Sequence, residues 1–88
     1  MNSSLAIEWL GYLAGGLTAA SFLPQVIRTW RTRSAADLSL GMLTLYLSST
    51  VLWLVYGWLA KAWPVLATNI AIFFLAGMIL GMKLTFGK

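Results

Sequence analysis

Charged residues are absent from three long stretches of this 88-residue chain, at residues 9–27, 38–60 and 62–82. Each stretch is 19 to 23 residues long, and a helix needs about 20 apolar residues to cross a hydrocarbon core of about 30 Å. Only 9% of the chain is charged, against about 25% in a typical soluble domain. The pattern predicts an all-α membrane protein, a single unit over residues 1–88 with spans at about 5–27, 39–59 and 63–82.

The composition also excludes several kinds of functional site. The chain has no cysteine and no histidine, so it has no disulfide, no thiolate or imidazole metal ligand and no imidazole base. We expect no metal, no cofactor and no enzymatic activity, because no nucleophile has a base beside it. The net charge is +4, but the basic residues flank the apolar runs instead of forming a solvated patch, which argues against a nucleic-acid partner.

The basic residues predict the orientation in the membrane. The first connection carries Arg28, Arg31 and Arg33, and the C-terminus carries Lys83 and Lys88. With three spans these two regions lie on the same side, and the opposite side has a single lysine. The positive-inside rule therefore predicts a cytoplasmic C-terminus and an N-terminus outside.

The connections restrict how the spans are arranged. Pro64 falls in the first turn of span three, where its missing N–H costs nothing. The short second connection predicts an antiparallel hairpin of spans two and three. The first connection is longer, allows span one to reach a non-adjacent position, and offers Ser34 or Asp37 as a cap for the next helix. Three helices cannot enclose a sizeable aqueous cavity, so a solute pathway requires an oligomer.

Small residues and a proline interrupt the apolar spans. Gly11 with Gly15, and Gly77 with Gly81, form two G-x-x-x-G pairs that either mark close helix contacts or act as small fillers. Pro24 lies inside span one and is followed by Gln25. Because proline removes one backbone hydrogen bond and clashes with the preceding turn, the helix is expected to kink there. The kink is either static or a hinge beside a cytoplasmic gate.

One methionine and four polar or aromatic residues of span two recur at steps of four and three, which places them on one helix face. They are Met42, Tyr46, Ser49, Trp53 and Tyr56. Span one offers a matching stripe of Gly15, Thr18, Phe22 and Gln25. Such a stripe is typical of a cavity lining, and the alternative is that the rings pack against other helices.

Trp53 and Asn69 are expected at the same depth. Each lies four residues outward from the middle of its span, about 6 Å along the helix axis. Asn69 is the only amide of span three, and an unpartnered amide in hydrocarbon costs several kcal/mol. It therefore either joins helices or binds a ligand. An indole face beside an amide suits a sugar, and a two-fold dimer would enclose the site with two copies of each residue.

These features together resemble the bacterial SemiSWEET sugar transporters, in the wider SWEET and PQ-loop families. The resemblance covers nearly the whole chain and is carried by SFLPQVIRTWRTRSAADLS, STVLWLVYG and ATNIA. It implies that the third helix packs between the first two, in the order 1-3-2. It also implies a parallel homodimer in the bacterial inner membrane that transports a mono- or disaccharide by alternating access.

The resemblance further assigns roles to individual residues. The expected substrate pocket consists of Trp53 and Asn69, with Ser49 and Thr18 on the matching stripes. The expected moving parts are the hinge at Pro24 and Gln25, the cytoplasmic gate at Phe22 and Met42, and the outer gate at Tyr56. Relatives often reinforce the outer gate with a charged pair, whereas here that stretch has Lys61 and no acid.

The expected mechanism is facilitated diffusion through a uniporter, because the pathway face has no ionisable residue and coupled transporters place one in the membrane. Two alternatives stay open. The chain is a PQ-loop carrier of another small solute, or it is an accessory membrane subunit whose aromatic stripe is dry and buried against a partner helix. A small multidrug exporter is disfavoured because Glu8, the only nearby acid, lies at the edge of a span.

Overall fold

A computed structural model describes residues 3–87, with side chains from Leu5 onward. Lys88, counted above among the basic residues, lies outside the described residues. The described chain is all-helical, with α1 at Ser3–Ala20, α2 at Leu23–Thr32, α3 at Leu40–Leu59 and α4 at Trp63–Phe86. By length and composition, three helical segments are able to cross a membrane, namely Leu5–Thr32, Leu40–Leu59 and Trp63–Phe86.

The first of these segments is interrupted between α1 and α2, where the kink was predicted. Ser21 and Phe22 form a turn, and the Phe22 N–H donates to the Ala19 carbonyl at 3.0 Å in a tightened i to i+3 bond. Pro24 lies in the first turn of α2 and has no N–H to donate to the preceding turn. The helix then continues to Thr32, beyond the charge-free run, because the arginines of α2 are exposed and need no burial.

Helix α4 lies between α1 and α3. It packs against both of them, whereas no Cα atoms of α1 and α3 lie within 8 Å of each other among the described residues. Because α4 is the third span and α3 the second, the predicted spatial order 1-3-2 of the spans is therefore confirmed. Close approach depends on glycine, since a Cβ on Gly15 would overlap the Thr68 hydroxyl and one on Gly57 would lie 3.1 Å from the Leu66 backbone nitrogen.

The buried face of α3 is distinct from its aromatic stripe. Leu43, Thr50 and Gly57, spaced seven residues apart, are buried. The buried side chains of α4 are Ile72, Ala76 and Ile79. The Thr50 hydroxyl donates to the Leu47 carbonyl at 2.7 Å, which satisfies it inside the bundle. Trp53 on the stripe remains 49% exposed, so the stripe is not part of the core of a single protomer.

The connection between α2 and α3 corrects one expectation, because neither Ser34 nor Asp37 caps α3. The cap is Ser39, whose backbone is extended directly before the helix and whose Oγ accepts from the Met42 N–H at 3.1 Å. Asp37 instead pairs with Arg28 at 3.5 Å on the surface. Ser34 Oγ accepts from the Ala36 N–H at 3.2 Å within the connection. Both residues lie too far before the first residue of α3 to reach the free N–H groups of its first turn.

Candidate functional site

A cleft of about 260 Å³ opens where α1 and α3 diverge over α4. It is lined by Gly11, Gly15, Trp53, Pro64, Val65, Thr68 and Asn69. The three helices all contribute because α4 lies between the other two and forms the floor. Trp53 and Asn69 line this one cleft, in agreement with the shared level predicted from their depths.

The two side chains offer complementary chemistry to a ligand. Trp53 is half exposed, and its ring makes a perpendicular contact with that of Tyr56, with 5.4 Å between centroids and the planes at 89°. The Asn69 amide nitrogen donates to the Val65 carbonyl at 2.8 Å, which fixes its orientation. Within residues 3–87 its Oδ1 accepts no hydrogen bond. The lining of the cleft therefore includes an indole and an amide whose oxygen and second N–H have no hydrogen-bond partner within residues 3–87.

Thr18 and Ser49, the other two residues expected to bind substrate, do not line the cleft. The Thr18 hydroxyl donates to the Ala14 carbonyl at 3.0 Å, and the Ser49 hydroxyl donates to the Tyr46 carbonyl at 2.7 Å. Both donors are used within their own helices. Ser49 lies one turn from Trp53, about 6 Å along the axis, on the side of the α2–α3 connection. Neither residue lines the cleft of the single protomer, and their assignment to the substrate pocket stays a prediction.

Three cleft residues of α4 were missed by sequence reasoning, namely Pro64, Val65 and Thr68. A signal for two of them was available in the Gly11–Gly15 pair. A Cβ on Gly11 would lie 2.9 Å from the Pro64 Cβ. The space beside Gly15 is likewise occupied by the Thr68 side chain. Two glycines four residues apart on α1 therefore accept two side chains four residues apart on α4. By contrast, Cβ atoms on Gly77 or Gly81 would meet no described atom within 4 Å beyond their chain neighbours and their own helix backbone.

The residues expected to form a gate and a hinge lie near the break in the first segment. Phe22, in the turn, contacts Tyr46 of α3 at 5.5 Å between ring centroids. Met42 lies one turn before Tyr46, near the start of α3, and is half exposed. Gln25 lines a separate polar cleft of about 130 Å³, together with Arg28 and Thr29 of α2 and with residues of the α2–α3 connection. The aromatic contact between Phe22 and Tyr46 therefore connects the break to α3.

Tyr56 and Lys61 lie at the opposite end of α3. Tyr56 is 53% exposed and supports Trp53. Lys61 has a left-handed backbone, with φ at 55°, and its N–H donates to the Trp58 carbonyl at 3.3 Å. Its side-chain ammonium has no ion-pair or hydrogen-bond partner among residues 3–87. It lines a cleft of about 470 Å³ that also contains Glu8. An acid on α1 therefore lines the same cleft as the stretch that is expected to form the outer gate.

Comparisons with known proteins place the chain in a family. The PQ loop repeat family matches residues 6–66. The chain is 42% identical over 81 residues to the Sugar transporter SemiSWEET of Bradyrhizobium diazoefficiens, covering 92% of this chain and 94% of that protein. A crystal structure of a bacterial homologue of SWEET transporters matches with a TM-score of 0.89 at 33% identity, over 93% of this chain and 99% of the other. A crystal structure of SemiSWEET in the inward-open conformation matches with a TM-score of 0.83 at 34% identity, over 91% and 93%. The chain therefore belongs to the PQ-loop repeat family and, within it, to the SemiSWEET group.

Proposed function

We propose that this protein transports a mono- or disaccharide across the bacterial inner membrane. The observation that carries the proposal is the cleft that Trp53, which is half exposed, and Asn69, whose amide oxygen accepts no hydrogen bond within residues 3–87, line together. A sugar presents apolar C–H faces, which stack on an indole, and hydroxyl groups, which pair with an amide. A relative 42% identical to this chain bears the name of a sugar transporter.

The working unit is a parallel homodimer. A single protomer leaves Trp53, Tyr56 and Met42 about half exposed along one face of α3. A polar and aromatic face of this kind is better suited to a wet pathway than to lipid. A second copy related by a two-fold axis would cover it and place two Trp53 and two Asn69 residues around one substrate. The positive-inside rule places the α2–α3 connection of both copies in the cytoplasm.

Transport proceeds by alternating access with a hinge at Pro24 and Gln25. The cytoplasmic gate consists of Phe22 and Met42, and the outer gate is formed by Tyr56. Phe22 lies two positions before Pro24, so movement at the break changes its 5.5 Å contact with Tyr46. A related SemiSWEET has been crystallised in an inward-open conformation, which supports a cycle with distinct open states.

The transporter is a uniporter. None of the side chains that line the cleft is ionisable, and proton- or ion-coupled transporters place ionisable groups in their pathway. Flux should therefore follow the sugar gradient in either direction and should not respond to a proton gradient.

The test is uptake of labelled mono- and disaccharides into proteoliposomes that contain the purified protein. We expect saturable flux of at least one sugar, with the same rate before and after a protonophore abolishes an imposed pH gradient. A folded dimer that moves no sugar would contradict the proposal and favour a carrier of another solute or an accessory subunit. Sugar accumulation driven by the pH gradient would contradict the uniport mechanism but not the proposal that the protein transports sugar.

We expect Pro24→Ala to slow sugar flux by about fivefold or more. Alanine supplies the N–H that proline lacks, so a backbone hydrogen bond worth about 1 kcal/mol favours a continuous helix. If the cycle requires the break, this bias raises the energy of the bent states by the same amount. The measurement is initial sugar uptake, with circular dichroism to check the folded state.

Leu23→Ala is the matched control for the hinge. Leu23 is 49% exposed and lies in the same turn, but its replacement leaves position 24 without an N–H. We expect uptake close to that of the unmodified protein. Equal rates in the Pro24→Ala and Leu23→Ala variants would show that the break is static.

A further inference from the structure

A second groove lies between α2 and α4, at the end of the bundle that carries the α2–α3 connection. Its volume is about 390 Å³. It is lined by Val26, Trp30, Met78, Gly81, Met82 and Phe86, with Thr85 as the one polar side chain. The groove is therefore almost entirely apolar, in a size range suited to a hydrocarbon chain.

This groove is not part of the candidate sugar pathway. Met78 follows Asn69 by nine residues on the same helix, which corresponds to a rotation of about 180° at 3.6 residues per turn. The groove thus lies on the back of α4, away from the cleft of Trp53 and Asn69. In a membrane-spanning bundle such a face meets lipid unless another protein covers it.

A cation is held in place at the groove's end. Arg33 ends α2 with a left-handed backbone, φ at 56°. Its guanidinium lies 4.0 Å from the centre of the Trp30 ring and 5.4 Å from that of Phe86, two rings that also line the groove. Within residues 3–87 no carboxylate pairs with Arg33, since the ion pair at this end of the bundle joins Arg28 of α2 to Asp37. The charge of Arg33 is therefore positioned by stacking and is not neutralised.

Glycine keeps the groove open. A Cβ at Gly81 would meet no described atom within 4 Å, so the position has room for a side chain that the sequence does not supply. The bundle does not need glycine there for helix packing. The open space is consistent with a flexible occupant from outside the protomer.

We propose that this groove binds an anionic phospholipid, with an acyl chain along Met78, Gly81 and Met82 and the phosphate at Arg33. Basic residues beside grooves between membrane helices are a recurring mode of binding to acidic headgroups, and guanidinium groups donate readily to phosphate oxygens. Trp30 fits the same depth, because indole rings prefer the headgroup region. The lipid belongs to the leaflet on the side of the α2–α3 connection, whichever face of the membrane that is.

The test is native mass spectrometry of the intact protein in detergent, with phosphatidylglycerol or phosphatidylcholine added at equal concentration. We expect retention of phosphatidylglycerol in preference to phosphatidylcholine, and about fivefold weaker retention in Arg33→Gln, the effect of one basic residue at an anionic lipid surface. Arg31→Gln is the matched control, because it removes the same charge from the same segment but not from the groove. Equal loss in both variants would overturn the proposal in favour of general charge attraction.

A second pair of variants tests the apolar part of the site. Gly81→Leu fills the groove and should weaken phosphatidylglycerol retention. Gly77→Leu places the same side chain one turn away, outside the groove lining and also free of described atoms within 4 Å, and should retain the lipid. Unchanged retention in Gly81→Leu would exclude an acyl chain from the groove. Dissociation of the dimer in Gly81→Leu alone would show that the groove is covered by a second copy, and would also overturn the proposal.

Discussion

Replacement of Trp53 by alanine is expected to reduce saturable sugar uptake by about thirtyfold or more. An aromatic side chain at the centre of a binding site typically contributes about 2 kcal/mol or more. The ring is half exposed, and the aromatic contact that it makes is with its helix neighbour Tyr56. The α3–α4 contact rests on Leu43, Thr50 and Gly57 instead. Binding should therefore fail while the bundle stays folded, and the measurement is uptake into proteoliposomes beside a thermal unfolding curve.

Trp58→Ala is the matched control for that variant. Trp58 lies on the same helix, is 66% exposed and contacts Trp63 outside the cleft, so uptake should be close to normal. Asn69→Ala should lose uptake as well, because it removes the amide oxygen that has no partner within the described chain. Normal flux in both Trp53→Ala and Asn69→Ala would exclude this cleft as the sugar site, even if the protein transports sugar.

Gly15→Ala is expected to destabilise the bundle by about 1 to 3 kcal/mol, the usual cost of overpacking. The new Cβ would overlap the Thr68 hydroxyl and lie 2.9 Å from the Thr68 Cβ. Rotation of the threonine side chain cannot relieve the second contact, because Cβ does not move with χ1. Helices α1 and α4 must therefore separate, which also deforms the cleft that they line. The measurement is the unfolding midpoint in detergent.

The neighbouring glycine provides a control of opposite sign. A Cβ on Gly16 would meet no described atom within 4 Å, so Gly16→Ala should be neutral or stabilising by roughly 0.5 to 1 kcal/mol through helix propensity. Thr68→Ala in the Gly15→Ala background should restore part of the lost stability. Equal unfolding midpoints for Gly15→Ala and Gly16→Ala would mean that α1 and α4 do not approach closely at Gly15.

Sequence reasoning was most accurate where the relevant physics is local. Charge-free runs long enough to cross a bilayer marked the three apolar helical segments, because a charged side chain in hydrocarbon is costly. Pro24 marked the break before α2, because its missing N–H is a property of the residue itself. The helix ends were less accurate. Helix α2 continues to Thr32 and α4 to Phe86, since helices extend past the apolar core into the polar interface.

Helix faces were harder to assign because the spans are apolar on nearly all sides. A soluble helix reveals its buried face by amphipathic periodicity. In lipid, helices associate through shape and close packing, so composition gives little information about which face meets which neighbour. The two G-x-x-x-G pairs show the difficulty. Gly11 and Gly15 accept side chains of α4, whereas Gly77 and Gly81 face open space in the protomer.

By itself, the sequence determined the membrane class, the number of apolar helical segments, the break at Pro24 and the pairing of an indole with an amide at one depth. Each follows from local composition or from distance along a single helix. Only the tertiary structure decided that Pro64 and Thr68 line the cleft and that Arg33 stacks over Trp30. It also decided that the hydroxyls of Ser49 and Thr18 donate to carbonyls of their own helices. These depend on how one helix is rotated and positioned against another. Steric fit between side chains distant in sequence sets that rotation, and the order of residues along one helix does not.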